Sequence, residues 1–394
     1  MNIKSGIRIA TFNIRKFSRY SVFSTSEKES PKDLDTIGKI IRENQFDIIA
    51  IQEIFHKEAL KELLEKIALQ YAVEERLYRG SKYTANPFVS TKTSESFGYR
   101  TKHWEGRWAS LNSRYGDSEG YAFIWNRDRV KLVTNRKKEV FEPRIEEYIS
   151  TTSEESLVRP PFLGRFMPIN GRYEIRLINT HIAYSVPSKK RREDDANYET
   201  DLTDIAFRNQ EFETLIQTIY RRFSQKQYDI NRLDQDAECL VPYTFLLGDY
   251  NLNVSKYPQL RVAPDGFIVK GNNKQDTMKI VTLNSDLTTL KNRPEDKPEN
   301  HEKLKMWIES TSDEYHMANN YDHFSFDDVR LDSNEKGIGI AIPRSTVVHP
   351  FDYFSEQARK SETNETVYDI YSKRVSDHVP VYIDFDVRKK RQKG

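Results

Sequence analysis

The short segment Ser376-Asp377-His378-Val379-Pro380-Val381 sets a carboxyl group beside an imidazole at the mouth of an apolar, β-branched run. Upstream, Thr11-Phe12-Asn13-Ile14-Arg15, Ile51-Gln52-Glu53-Ile54, Asn179-Thr180-His181-Ile182 and Gly248-Asp249-Tyr250-Asn251 each follow an apolar stretch of strand length. A polar residue in such a place stands at the lip of a sheet, with the apolar residues behind it filling the core. Imidazoles beside carboxyl groups suit acid–base chemistry. Carboxylates with carboxamides suit a hard cation. Spread over the whole chain, the clusters outline one site.

Taken together, these residues resemble the endonuclease/exonuclease/phosphatase superfamily, and in particular its deoxyribonuclease I-like nuclease branch. The resemblance runs in order from Asn13 to His378, and its most specific elements are the Ser-Asp-His ending and Gly-Asp-x-Asn. It implies a four-layered α/β sandwich and metal-dependent hydrolysis of phosphoesters. It implies that Asp249 orients or deprotonates the attacking water, with Asn251 holding that water or the phosphate. It further implies that Glu119 orients His181, that Asp322 orients His378, and that Arg159 approaches the phosphate. Tyr368-Asp369 offers a second Tyr-Asp pair, but it lies so close before Asp377 that Tyr321-Asp322 is preferred.

Cleaving a phosphodiester requires an activated water, stabilised charge on phosphorus and help for the leaving oxygen, and a hard divalent cation provides the last two. Glu53, just past a buried strand, is the first expected ligand, with Asn13 and Asp377 nearby and Mg²⁺ (or Mn²⁺) as the ion. Periodicity alone would make Glu53 equally an acid at the start of the next helix, and Asn13 a turn former. If strand geometry continues past Gly248, Asp249 and Asn251 point the same way; an Asx turn is the other reading.

Residues Asp47 to Ile51 form a continuous apolar run of the kind buried on both sheet faces. Leu34, Ile37, Ile40 and Ile41 have helical spacing, as do Leu60, Leu63, Leu64 and Ile67. A longer helix is expected from Asp201 to Phe223. Strands interspersed with helices suggest two packed sheets with helices outside. One domain is expected over residues 1–387, with insertions near 78–119, 264–320 and 331–369 and a basic tail at 388–394. Pro160-Pro161 suggests that the following strand is an edge. Tyr99, Trp104, Trp108 and Tyr115 among Arg100, Lys102, Arg107 and Arg114 suit either base stacking or a satellite core.

Lys plus Arg total 62 against 60 acids, so net charge does not announce a polyanionic ligand. The single cysteine, Cys239, excludes an internal disulfide and fits a reducing compartment. With no leader-like or membrane-spanning run, a cytoplasmic protein is the expectation. The leading functional expectation is a Mg²⁺-dependent endonuclease acting on nucleic acid, DNA before RNA, without a membrane. The alternatives are a phosphatase or phospholipase of the same superfamily and a catalytically silent nucleic-acid-binding module.

Overall fold

Apolar side chains of both parities along a strand demand cover on both faces, and β1 (Ile7–Phe17) and β2 (Ile48–Ile54) receive it inside the first sheet. A computed structural model describes residues 6–17, 32–69, 71–79, 95–111, 119–134, 138, 140–146, 157–171, 173–185, 200–224, 241–253, 267–269, 278–283, 286–327, 338–340, 345–361, 364–385 and 387–389. Ile7 and Ile9 of β1 point toward the second sheet, whereas Ala10 and Phe12 point outward to helices.

The first sheet runs in the order β16 (Ser345–Val347), β17 (Val381–Phe385), β1, β2, β6 (Gly120–Asn126), β5 (Trp104–Ser110), β4 (Glu95–Arg100) and β3 (Glu74–Arg79). The second runs β12 (Phe267–Val269), β13 (Met278–Thr282), β14 (Asp322–Asp327), β11 (Val241–Asp249), β10 (Tyr173–His181), β9 (Phe162–Pro168) and β7 (Val130–Leu132). A short β8 (Arg144–Ile145) also pairs with β9. Both sheets are mixed: β1–β2 and β10–β11 are parallel, while β1–β17 and β11–β14 are antiparallel.

Between the sheets lies a core that includes Ile9, Ala50, Phe123, Phe166, Leu177, Phe245, Phe324 and Ile383. Helices Leu34–Glu43, Lys57–Ala68 and Val367–Arg374 cover the outer face of the first sheet. Thr200–Thr214, a π-helical Leu215–Tyr220 and Arg221–Ser224 cover the second. Helix, sheet, sheet, helix is the four-layered sandwich that the resemblance implies. Among the described residues, no helix is long and apolar enough to cross a membrane.

Several expected loops are framework instead. The stretch 78–119 supplies β4 and β5, in which Tyr99 and Trp108 are buried and Arg107 is held by Glu105 and Glu142. Those aromatics therefore pack a core and cannot stack on bases; Arg114 and Tyr115 lie outside the described residues. The 264–320 stretch provides β12, β13 and the helix His301–Glu309, and 331–369 provides β15 (Ile338–Ile340) and β16. The basic tail begins later than expected, because β18 (Val387–Lys389) pairs with β15 and takes up Arg388 and Lys389. Residues 390–394, Lys189 to Arg192 and Cys239 lie outside the described residues. β9 is not an edge, since it has β10 on one side and β7 and β8 on the other. Pro160 and Pro161 precede the strand and so remove no ladder donor from it.

One glycine is dictated by close approach. Gly248 has φ 137°, and a Cβ there would sit 1.9 Å from the Thr180 carbonyl oxygen across the β10–β11 pair. Gly248→Ala is expected to lower stability by on the order of 2–4 kcal/mol, combining a disfavoured φ with backbone overlap. Urea unfolding of the variant checks this, and wild-type stability would mean that the strands separate freely at this point.

Candidate active site

Inward-facing positions of the second sheet change from apolar to polar at one level. Leu177, Asn179 and His181 alternate along β10, Phe245, Leu247 and Asp249 along β11, and Phe326, Phe324 and Asp322 along β14. The register pairs His181 with Asp249 and Asp249 with Asp322, so all three lie in one row. Asn13, Glu53 and His378 reach the same row from the first sheet. Asn13 Nδ2 donates to Glu53 Oε1 at 3.0 Å and to Asp249 Oδ2 at 2.9 Å, joining the two sheets.

Three non-glycine residues at this lip, Lys16, Glu53 and Asn251, have positive φ of 50°, 59° and 50°. Such conformations are strained and persist where surrounding contacts enforce them. At Glu53 the consequence is a slipped alternation: Ile51 and Ile54 both join the helix-side core. Regular alternation would have placed Glu53 beside them, under the helices. Instead its carboxylate meets Asn13 and the Lys16 amide, the latter at 3.0 Å. At Asn251 the strand has already ended. Its N–H donates to Asp249 Oδ1 at 2.8 Å, and its Nδ2 to the Ile182 carbonyl at 2.8 Å. The Asx turn is therefore the correct reading, and Asp249 and Asn251 do not project together as strand residues.

Both imidazoles have carboxyl partners. His181 Nδ1 lies 2.6 Å from Glu119 Oε1, and His378 Nδ1 lies 2.8 Å from Asp322 Oδ2. Glu119 also meets Arg159 Nε at 3.0 Å, which brings the cation of the Arg-Pro-Pro segment to the site. Asp369 is elsewhere: it closes a capping box at Thr366 and receives Trp307 Nε1 and Arg293. The Nε2 atoms of His181 and His378 each stand 3.6 Å from Asp249 Oδ2. That exceeds a direct hydrogen bond and leaves both donors available to a water or a phosphate oxygen.

Burial opposes charge on His378, yet Asp322, Asp249 and Asp377 outweigh it and hold the imidazolium well above its ordinary range. Burial and Arg159 oppose charge on His181, but Glu119 and Asp249 raise it overall. Burial raises Asp249 above the usual carboxylate value despite the two imidazoles. Burial also works against ionisation of Glu53, but His181, the Lys16 amide, Asn13 and His378 prevail and hold it at about 2.

Among the described residues, no three or more His, Cys, Asp and Glu side chains form a metal-binding group. With a carboxamide admitted as donor, the residues present do fit a hard cation. Glu53 is ionised, and the buried Asn13 Oδ1 and Asp377 Oδ1 have no hydrogen-bond partner. Asp377 Oδ2 is engaged by Arg15 Nη1 at 2.8 Å. Oxygen donors of this kind select Mg²⁺ or Mn²⁺ over softer ions. The Asn13 amide presents its nitrogen to Glu53; a cation bound there requires the oxygen face instead.

Supporting residues escaped the sequence reading. Gln52 Nε2 donates to Asn179 Oδ1 at 2.6 Å, and Asn179 Nδ2 donates to the carbonyls of Ile51 and Ala122. Ser376 Oγ donates to the Asn13 carbonyl and accepts from the Arg15 and His378 amides. Thr288 Oγ1 accepts from the Asp322 amide, while the Thr288 carbonyl accepts from Val379. The available signal was position: Gln52, Asn179 and Ser376 lie within the polar clusters already singled out.

Residues 10–269 match the Endonuclease/Exonuclease/phosphatase family, and the chain belongs to that family. It is accordingly a hydrolase of phosphoester bonds. No curated protein matches the chain. Among solved structures, an endonuclease/exonuclease/phosphatase from Bacteroides vulgatus is similar at 11% identity and TM-score 0.46, covering 98% of this chain and 100% of that one. A family protein from Bacteroides thetaiotaomicron gives 13%, 0.45, 98% and 98%. D. rerio TDP2, complexed with single strand DNA product, gives 12%, 0.42, 97% and 100%.

The raised His378 value predicts a pH dependence. A folded pKa above the unfolded 6.5 means that this pair's stabilisation is complete below 6.5 and is lost as pH rises through the folded value. Activity needing the imidazolium is expected to persist above pH 6.5 and fall on the alkaline side. Asp322→Asn removes the charge that sustains it, so the alkaline limb of kcat/KM should move to lower pH. An unmoved limb would detach His378 from the pH profile.

Proposed function

We propose that this chain is a divalent-metal-dependent endonuclease that cleaves DNA by attack of water on phosphorus. The observation that carries the reading is the pair of carboxyl-oriented imidazoles whose free Nε2 atoms flank one carboxyl oxygen at 3.6 Å each. A phosphate seated between them would receive two charge-assisted hydrogen bonds from opposite sides. Asp249, raised by burial, has the basicity to accept a proton from the attacking water. Its second oxygen is fixed by the Asn251 amide, which sets the direction of the first. His378, held cationic by Asp322, stabilises charge on the non-bridging oxygens. His181, oriented by Glu119, protonates the leaving oxygen. Arg159 beside Glu119 adds a cation on the phosphate side. Glu53, Asn13 and Asp377 would hold Mg²⁺ or Mn²⁺, which supplies charge neutralisation at phosphorus when bound. Asn251 contributes through its backbone and its bond to Ile182, keeping the loops after β10 and β11 together. The single cysteine supports an intracellular setting.

DNA is favoured over a lipid because, of the exposed large apolar side chains among the described residues, Leu69, Val140, Ile169 and Tyr184 stand on different segments and only Met306 and Ile308 share a helix. Glu53→Gln should abolish Mg²⁺-supported nicking of supercoiled plasmid while leaving the unfolding transition in place. His378→Ala and His181→Ala should each reduce turnover by about two to four orders of magnitude. Side-by-side assays on plasmid, single-stranded RNA and sphingomyelin or phosphoinositide vesicles at equal Mg²⁺ decide the substrate class. Rapid lipid hydrolysis without nicking would overturn the nuclease reading.

A further inference from the structure

Three residues beyond His181 stands Tyr184, a large aromatic that is 58% exposed. Its ring is propped from behind: the Arg208 guanidinium lies 4.6 Å from the ring centroid. Arg208 is itself buried, and two bonds fix it, Nη1 to the Asn251 carbonyl at 2.7 Å and Nε to the Asp204 carbonyl at 3.1 Å. Burial raises the phenol of Tyr321, the residue before Asp322, with Tyr184 raising it further and Arg208 opposing the rise. From the same helix, Glu211 accepts from the Ala183 amide at 3.3 Å and from the Val158 amide at 2.7 Å. The backbone on which Tyr184 stands is thereby tied down beside the one that carries Arg159.

An exposed ring gains little stability from such support, and a buried arginine is a costly way to provide it. The arrangement suits a rigid aromatic surface held for a ligand. One face is taken by the guanidinium, which leaves the rest of the ring in solvent a few residues from the phosphate site.

We propose that Tyr184, backed by Arg208, is a stacking platform for an unpaired base next to the scissile phosphate, so that the preferred substrate is single-stranded DNA. The inference rests on the nuclease reading and specifies its substrate. Bases within a closed duplex are stacked on one another and offer no free face, whereas an unpaired base does. The surrounding cation further favours a base over a saturated acyl chain.

The test uses the full chain and a short single-stranded oligodeoxynucleotide with one cleavable phosphodiester, in two forms: with bases flanking that bond, and with abasic residues there. Tyr184→Ala should raise KM for the base-bearing form about 5- to 150-fold, the range for loss of one base–aromatic stack, with kcat little changed. Tyr184→Phe should retain wild-type KM. Abasic flanks should impair the wild type by a similar factor and leave Tyr184→Ala unaffected, an interaction that a purely structural tyrosine would not show. If the wild type cleaves the oligonucleotide and Tyr184→Ala keeps the wild-type KM on the base-bearing form, the stacking inference falls while the nuclease reading stands. A wild type that hydrolyses no oligonucleotide overturns both.

Discussion

The hydrogen bond from Gln52 to Asn179 crosses the space between the two sheets directly below the site. Everything above it depends on that bridge, because the reacting groups are divided between the layers. Apolar packing between sheets is strong but tolerates sliding, whereas paired carboxamides have direction. Gln52 also meets Thr11, and Asn179 also meets the Ile51 and Ala122 carbonyls, so the buried amides leave little freedom to the register between layers. Asn13 repeats the connection one level higher, between Glu53 and Asp249. The sandwich core thus ends in a polar seam, and the seam merges into the site.

The apolar runs of β1, β2, β10 and β11 could be read from the sequence because burial on both faces leaves an unmistakable composition. Strands β3, β4 and β5, at one end of the first sheet, could not, since Glu95, Arg100, Glu105 and Arg107 make them look like loops. Contact with Glu105 and Glu142 offsets the cost of burying a charged residue such as Arg107. The imidazole–carboxyl pairs span 62 and 56 positions, a separation at which spacing carries no information. The family resemblance supplied those pairs; local pattern supplied the strand ends. What neither supplied was backbone conformation. The positive φ values of Glu53 and Asn251 arise from tertiary contacts, and neither residue type demands them. Reading Asn251 as a strand residue failed for that reason.

Electrostatically, the site is a balanced cluster. Acids outnumber the imidazoles, yet burial discourages carboxylate charge while the imidazoliums restore it, and each group holds its neighbours in a useful protonation state. A change at one member therefore redistributes protons among the rest. Helix Val367–Arg374 joins this cluster mechanically, since the Tyr371 hydroxyl donates to the His378 carbonyl at 2.9 Å.

The left-handed residues at the lip have a consequence for anyone wishing to move this chemistry to another scaffold. Copying side chains onto a regular sandwich would deliver Glu53 to the helix side and aim Asn251 along the strand. The unit that travels is backbone plus side chain, including the kinks at Lys16, Glu53 and Asn251 and the glycine that lets β11 press against Thr180. Such a shape is written in torsion angles that few neighbouring residues can restore once lost.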